Sequence, residues 1–245
     1  MTAATTAAGL ALTAVSARAE PVPYIPCPAG GQVGPISAPA HARTPDLPRN
    51  QARRLAFYRS RDLGVLAPRR WHCFSLYGSD GAILAVSPDS LGRPPLIAEF
   101  KLRGRGIVVR FSYGDTSGRF EVARAIFRLF PRYLAFATGV AAEDIAWPGL
   151  RSPLARTDQI VRRGPAIVDF ITPARRIGLG TEGRLAPNAE PVFGSVRLIG
   201  AASSPSLLEL SMRLGLNMAA ERAAILSTFH GSWRGLLAAW PPGRK

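Results

Sequence analysis

The side chains best suited to covalent or metal chemistry are scarce in this chain of 245 residues: two cysteines and three histidines. Two of them are adjacent, His72 and Cys73, in the stretch RWHCFSLYGSDG. If that stretch is a β-strand, Trp71, Cys73 and Ser75 face one side and His72, Phe74 and Leu76 the other. A nucleophile and its base must come within hydrogen-bond distance, so His72 does not serve Cys73. The second cysteine, Cys27, lies in a proline-rich stretch. In an oxidising compartment an even pair of cysteines reads as a disulfide, and a Cys27–Cys73 bond would pin that stretch to the strand. Two free, buried cysteines are the alternative.

Other chemistry leaves fewer traces. His41, His72 and His230 are isolated, with neither HExxH nor CxxC, so no metal site and no cofactor are predicted. His230, in FHGSW at the end of a helix, reads first as a C-terminal cap. For acyl transfer, both GxSxG and SxxK are missing. GLGTEG, from Gly178 to Gly183, matches GxGxxG, but Pro187 and Pro191 forbid the long helix a dinucleotide site needs, and the segment reads as a loop between strands. A weaker form of the idea is an anion site made by Arg175, Arg176, Gly178, Gly180 and Thr181 through loop N–H groups. Glu143 and Asp144 read as a solvated loop pair. Asp169, inside an expected strand, reads as a carboxylate buried against an arginine.

The elements that must position these residues follow from periodicity. Residues 20–49 are rich in proline and predict an extended strap without regular structure. NQARRLAFYRSRDLG predicts a short helix capped by Asn50. RWHCFSLY and AILAVSP flank GSDG, and LIAEFKL and GIVVRFSY flank RGR, each pair predicting a hairpin. After GDTSG, Phe120, Ala123, Ile126, Phe127 and Phe130 share one helical face, with Arg124 and Arg128 elsewhere, and Pro131 ends the helix. DQIVRR, AIVDFIT, PVFGSVRLI and SLLELSMRL predict strands, and Asn217 to Phe229 a last helix. The expectation is an α+β fold, a largely antiparallel sheet of about eight strands with two or three helices, in one globular domain over 50–245.

Residues 1–19 contain an apolar stretch and then Ala17-Arg18-Ala19, which predicts a signal peptide cleaved before Glu20, although Thr2, Thr5 and Thr6 stand where a positive region is usual. The longest later apolar tract, YLAFATGVAA, falls short of the roughly 18 residues a spanning helix needs, so no transmembrane segment is predicted. Thirty-one basic residues against sixteen acidic give a net charge of +15. The arginines are scattered in pairs, such as Arg53 with Arg54 and Arg162 with Arg163, which reads first as a solvated surface. An anionic partner, an envelope polymer or lipid head groups, is the second reading. Nucleic acid ranks last for want of interleaved basic and aromatic residues.

The segments PCPAGGQVGP, GVLAPRRWHCFSLYGSDG and ITPARRIGLGTEGRL resemble those of a group of uncharacterised secreted proteobacterial proteins. The resemblance runs over most of the chain beyond the signal. It implies export and a shared fold, supports Cys27 and Cys73 as a framework pair, and implies no activity. Together these readings predict a periplasmic or secreted, non-enzymatic binding or envelope-associated module. The alternative is a secreted hydrolase whose site is assembled from dispersed residues such as Ser117, His230 and Asp169.

Overall fold

The architecture is that of a computed structural model, which describes residues 19–91, 100–143 and 147–237. Its centre is the run of alternating segments. β7 (His72–Gly78), β8 (Gly81–Ser87), β9 (Gly106–Ser112), β10 (Gln159–Gly164), β11 (Ile167–Thr172), β12 (Val192–Ile199) and β13 (Ser206–Arg213) form one sheet with β3 (Ala29–Gly31). Their order is β10-β11-β12-β13-β9-β8-β7-β3. All neighbours are antiparallel except β3, which runs parallel to β7. The expected α+β class is found, but the sheet is mixed rather than largely antiparallel, because a strand from the strap adds to its edge.

Alternation on each strand supplies two apolar faces. One carries Leu84, Val109, Leu208, Leu210 and Met212 and packs on a second sheet and a helix. That second sheet joins β2 (Tyr24–Pro26), β5 (Leu55–Arg59) and β6 (Gly64–Pro68), with β2 parallel to β5. The helix is α5 (Ala219–Gly231), close to the predicted 217–229. The opposite face carries Val108, Val168, Phe170 and Val196 and packs on α2 (Arg119–Leu129), through Phe120, Ala123, Ile126 and Leu129. Each such side chain removed from water stabilises the fold by roughly 1.5–3 kcal/mol. α2 ends before Pro131, whose ring starts a 3-10 turn and then α3 (Leu134–Ala141).

Several expectations are corrected. The helix expected from Asn50 is only one turn, α1 (Arg49–Ala52), followed by β5. Leu55, Ala56, Phe57 and Tyr58 are all buried, so the segment is wrapped on both faces, a strand's environment that periodicity does not signal. The strap is not structureless: besides β2 and β3 it forms β1 (Ala19–Pro21), paired with β4 (Asp46–Pro48). With α4 (Leu179–Glu182) and α6 (Trp233–Leu236), six α-helices stand among the described residues, more than expected. Among the described residues the hairpin about RGR does not form: β9 pairs with β8 and β13, while Leu102 makes an isolated bridge to Leu185. Residues 96–99 of that expected strand, residues 1–18 of the expected signal, and Asp144 lie outside the described residues. No helix among those described is long and apolar enough to cross a membrane.

Candidate functional site

The opening cysteine question has a direct answer. Cys27 and Cys73 form a disulfide, Cα atoms 5.4 Å apart, joining positions separated by 46 in sequence. His72 stands exposed beside it and takes no part. His41 lines a separate open groove with Phe57 and Arg59.

Of the dispersed trio Ser117, His230 and Asp169, the fold unites two. Ser117 lies beside Ser79, hydroxyl oxygens 3.4 Å apart, while His230 reaches from the last turn of α5 to Asp169 on β11. A different serine joins them: Ser195 on β12, directly opposite Asp169. His230 Nε2 is 2.9 Å from Asp169 Oδ1 and 3.2 Å from Ser195 Oγ. One nitrogen therefore serves both neighbours. A carboxylate oxygen so close repels a bare lone pair, so Nε2 carries the proton and donates it. A base for Ser195 needs an unprotonated nitrogen. Ser195 is also fully buried. Burial pushes the Asp169 carboxyl up, but hydrogen bonds from His230, from Arg163 at 2.7 Å and from Ser195 outweigh it and hold it at about 2. Arg197 donates to the His230 carbonyl at 2.7 Å. The cluster is a latch fixing the end of α5 to the sheet. His230 pairs sideways rather than capping its helix.

GLGTEG, expected as a loop, forms the single helical turn α4 with Gly178 at its start, and its N–H groups are committed internally. Asp158 accepts from the Leu179 N–H at 2.9 Å, Thr172 from the Gly180 N–H at 2.9 Å, and Thr181 from the Gly178 N–H at 3.0 Å. Asp158 takes the place an external anion would hold, while Arg175 and Arg176 are exposed beside it. Glu143 pairs with Arg119 at 2.5 Å on the surface.

A more complete constellation lies on the other face of the large sheet. A cavity of about 320 Å³ opens between β9, β13, α2 and the α4 loop. Glu121, Arg124 and Arg128 recur at helical spacing along one stripe of α2 and face it, while cross-strand neighbours Arg110 and Glu209 rise from the sheet below. Lys101 and Arg184 come from two segments stitched together: the Leu102 N–H donates to the Arg184 carbonyl at 2.7 Å, and the Ala186 N–H to the Leu102 carbonyl at 2.9 Å. Fully buried Arg213 braces both, donating to the Gly104 carbonyl at 3.0 Å and the Ala186 carbonyl at 2.5 Å.

Five cations, Lys101, Arg110, Arg124, Arg128 and Arg184, and four carboxylates, Asp80, Glu121, Glu182 and Glu209, line this space. Most pair internally. Arg124 and Arg110 meet Glu121 at 2.7 and 3.5 Å, and Arg128 meets Glu182 at 2.6 Å. Arg184 sits over the Phe100 ring, 5.0 Å from its centroid. Glu209 is half-buried and lines the cavity beside Arg110. Burial pushes its carboxyl above the usual range, Arg110 pulls it back, and Glu121 pushes it further up. Burial lowers Arg110, but Glu121, Glu209 and Asp80 more than reverse this and strengthen its hold on its proton.

A polar cleft of this size, at the small end of ligand sites, suits a hydrogen-bonding solute rather than an apolar one. Sequence reasoning missed it. The available signals were the 121/124/128 spacing and a glutamate alternating with leucines in SLLELSMRL. No known protein family, curated protein or solved structure matches the chain, so the geometry stands alone.

Proposed function

We propose that the protein is an exported, non-enzymatic binding module that holds a small polar solute bearing an anionic group, of the size of one polymer unit or one lipid head group, in the charged cavity. The observation that carries this reading is the convergence of five cations and four carboxylates from separate elements on one cavity. Half-buried charged side chains such as Arg128, Glu121 and Arg124 are costly unless paired or serving a ligand. Export is supported by the Cys27–Cys73 disulfide, a bond that persists in oxidising compartments.

The test is thermal unfolding of the purified, oxidised protein against a panel of small carboxylates, sugar phosphates and neutral sugars at fixed ionic strength. A ligand of the native state raises the midpoint by an amount that grows with the logarithm of its concentration over Kd. Anion-bearing members are expected to raise it, and Arg124→Ala to abolish the effect. A midpoint unmoved by every member refutes the reading.

A further inference from the structure

We infer that the charged cavity is one half of a longer cleft and that its ligand is an oligosaccharide of at least two units, an acidic unit in the cavity and a neutral unit beside it. This rests on the binding reading above and extends it. A second hollow, of about 430 Å³, adjoins the first. Asp80, Ile83, Arg110 and Arg184 line both, so the two spaces meet along those four residues.

The sheet supplies a continuous floor. Glu209 on β13, Arg110 on β9, Ile83 on β8 and Leu76 on β7 stand directly opposite one another in register, and therefore on one face. Three strand spacings separate the ends of that row, roughly 14 Å, more than one sugar ring covers. α2 packs over the β13–β9 end. Toward β7, Leu76 and Ile83 are left half-buried, an apolar step between Arg110 and the exposed Gln32. Gln32 and Asp80 converge over Gly78, where a Cβ would lie 3.1 Å from Asp80 Oδ1 and 3.9 Å from Gln32 Cδ.

The two hollows differ in charge, and the difference selects the ligand. Every residue that lines the second hollow alone is uncharged, Gln32 and Leu76 among them; its charges are those at the junction. A polymer with an anion on every unit would set one of them on this uncharged shelf beside Asp80. A neutral sugar suits it better: the C–H face of a ring lies on Leu76 and Ile83, and hydroxyls meet the Gln32 amide and the Asp80 carboxylate. An extended acidic peptide fails on other grounds. β13, β9, β8 and β7 are each paired on both sides, so the floor offers no strand edge to a peptide backbone.

The experiment is isothermal titration of the full, disulfide-bonded chain with two matched pairs: glucose 6-phosphate against trehalose 6-phosphate, and glucuronate against a hyaluronan tetrasaccharide, in which glucuronate alternates with neutral N-acetylglucosamine. The longer member of at least one pair is expected to bind about tenfold or more tightly than the shorter, and which pair responds distinguishes phosphate from carboxylate. Gln32→Ala, at an exposed position outside the charged cavity, is expected to weaken the longer ligand about fivefold, the worth of one hydrogen bond, and to leave the shorter one unchanged. Equal affinity within both pairs overturns the second subsite while leaving the cavity reading intact. An unchanged preference in Gln32→Ala overturns the placement of the neutral unit. Tighter binding of tetragalacturonate, acidic on every unit, or of tetraglutamate overturns the ligand class. Silence of both pairs, while small carboxylates still raise the melting midpoint, overturns the sugar; silence of the whole anion panel as well overturns the cavity reading itself.

Discussion

Replacing Asp169 by Asn isolates the latch that ties α5 to the sheet. Asp169 is 8% exposed and accepts from His230, Arg163 and Ser195, which together lower its carboxyl from 3.8 to about 2. A depression of that size corresponds to about 2 kcal/mol of stability at neutral pH. The sign follows from the direction. The unfolded chain binds the proton more readily than the folded one, so the contribution is complete above pH 4 or so and vanishes as pH falls through about 2. Urea unfolding of the wild type and Asp169→Asn, with the disulfide intact, measures it at a series of pH values between 7 and 2. The variant is expected to be less stable by about 2 kcal/mol at pH 7, and the gap to close on acidification. Other carboxylates titrate in both proteins and cancel in the difference. A gap that stays constant with pH refutes the idea that these hydrogen bonds favour the ionised carboxylate.

Two further outcomes test the frame. Replacing Cys27 and Cys73 by Ser opens a loop spanning 46 positions, and chain entropy sets the expected loss at about 4 kcal/mol, read as a fall in the urea midpoint; an unchanged midpoint contradicts it. Gly81 closes the β7–β8 turn at φ +148°, and a Cβ there would lie 1.8 Å from the Phe111 carbonyl oxygen. Gly81→Ala is therefore expected to cost more than about 2 kcal/mol by the same assay, and a neutral result contradicts that close approach.

The strands from β7 onward were legible because each is a short run rich in Val, Ile, Leu and Phe between turn residues, and GSDG marks its turn plainly. The strap was not. Its three-residue strands find partners in β4, β5 and β7, and local propensity carries no trace of such distant pairing. α3 was opaque for the opposite reason: LAFATGVA is apolar throughout, so it has no polar face to set its period. In the cavity, Arg124 and Arg128 read as a solvated helix face, and only the placement of α2 over β9 and β13 turns that face inward. Glu209 lies among leucines in SLLELSMRL, and only the strand order, which sets β13 beside β9 inside the sheet, places it beneath α2. The disulfide, by contrast, followed from having two cysteines and an expected oxidising compartment.

Amide-resolved NMR of the labelled protein during titration with a sugar phosphate tests the central claim most directly. Shifts are expected to concentrate at Arg110, Glu209, Arg124 and Lys101, with Asp169 and His230 on the opposite face unmoved. Shifts scattered over the exposed arginines and abolished by moderate salt would contradict it, assigning the anion to the outer surface instead.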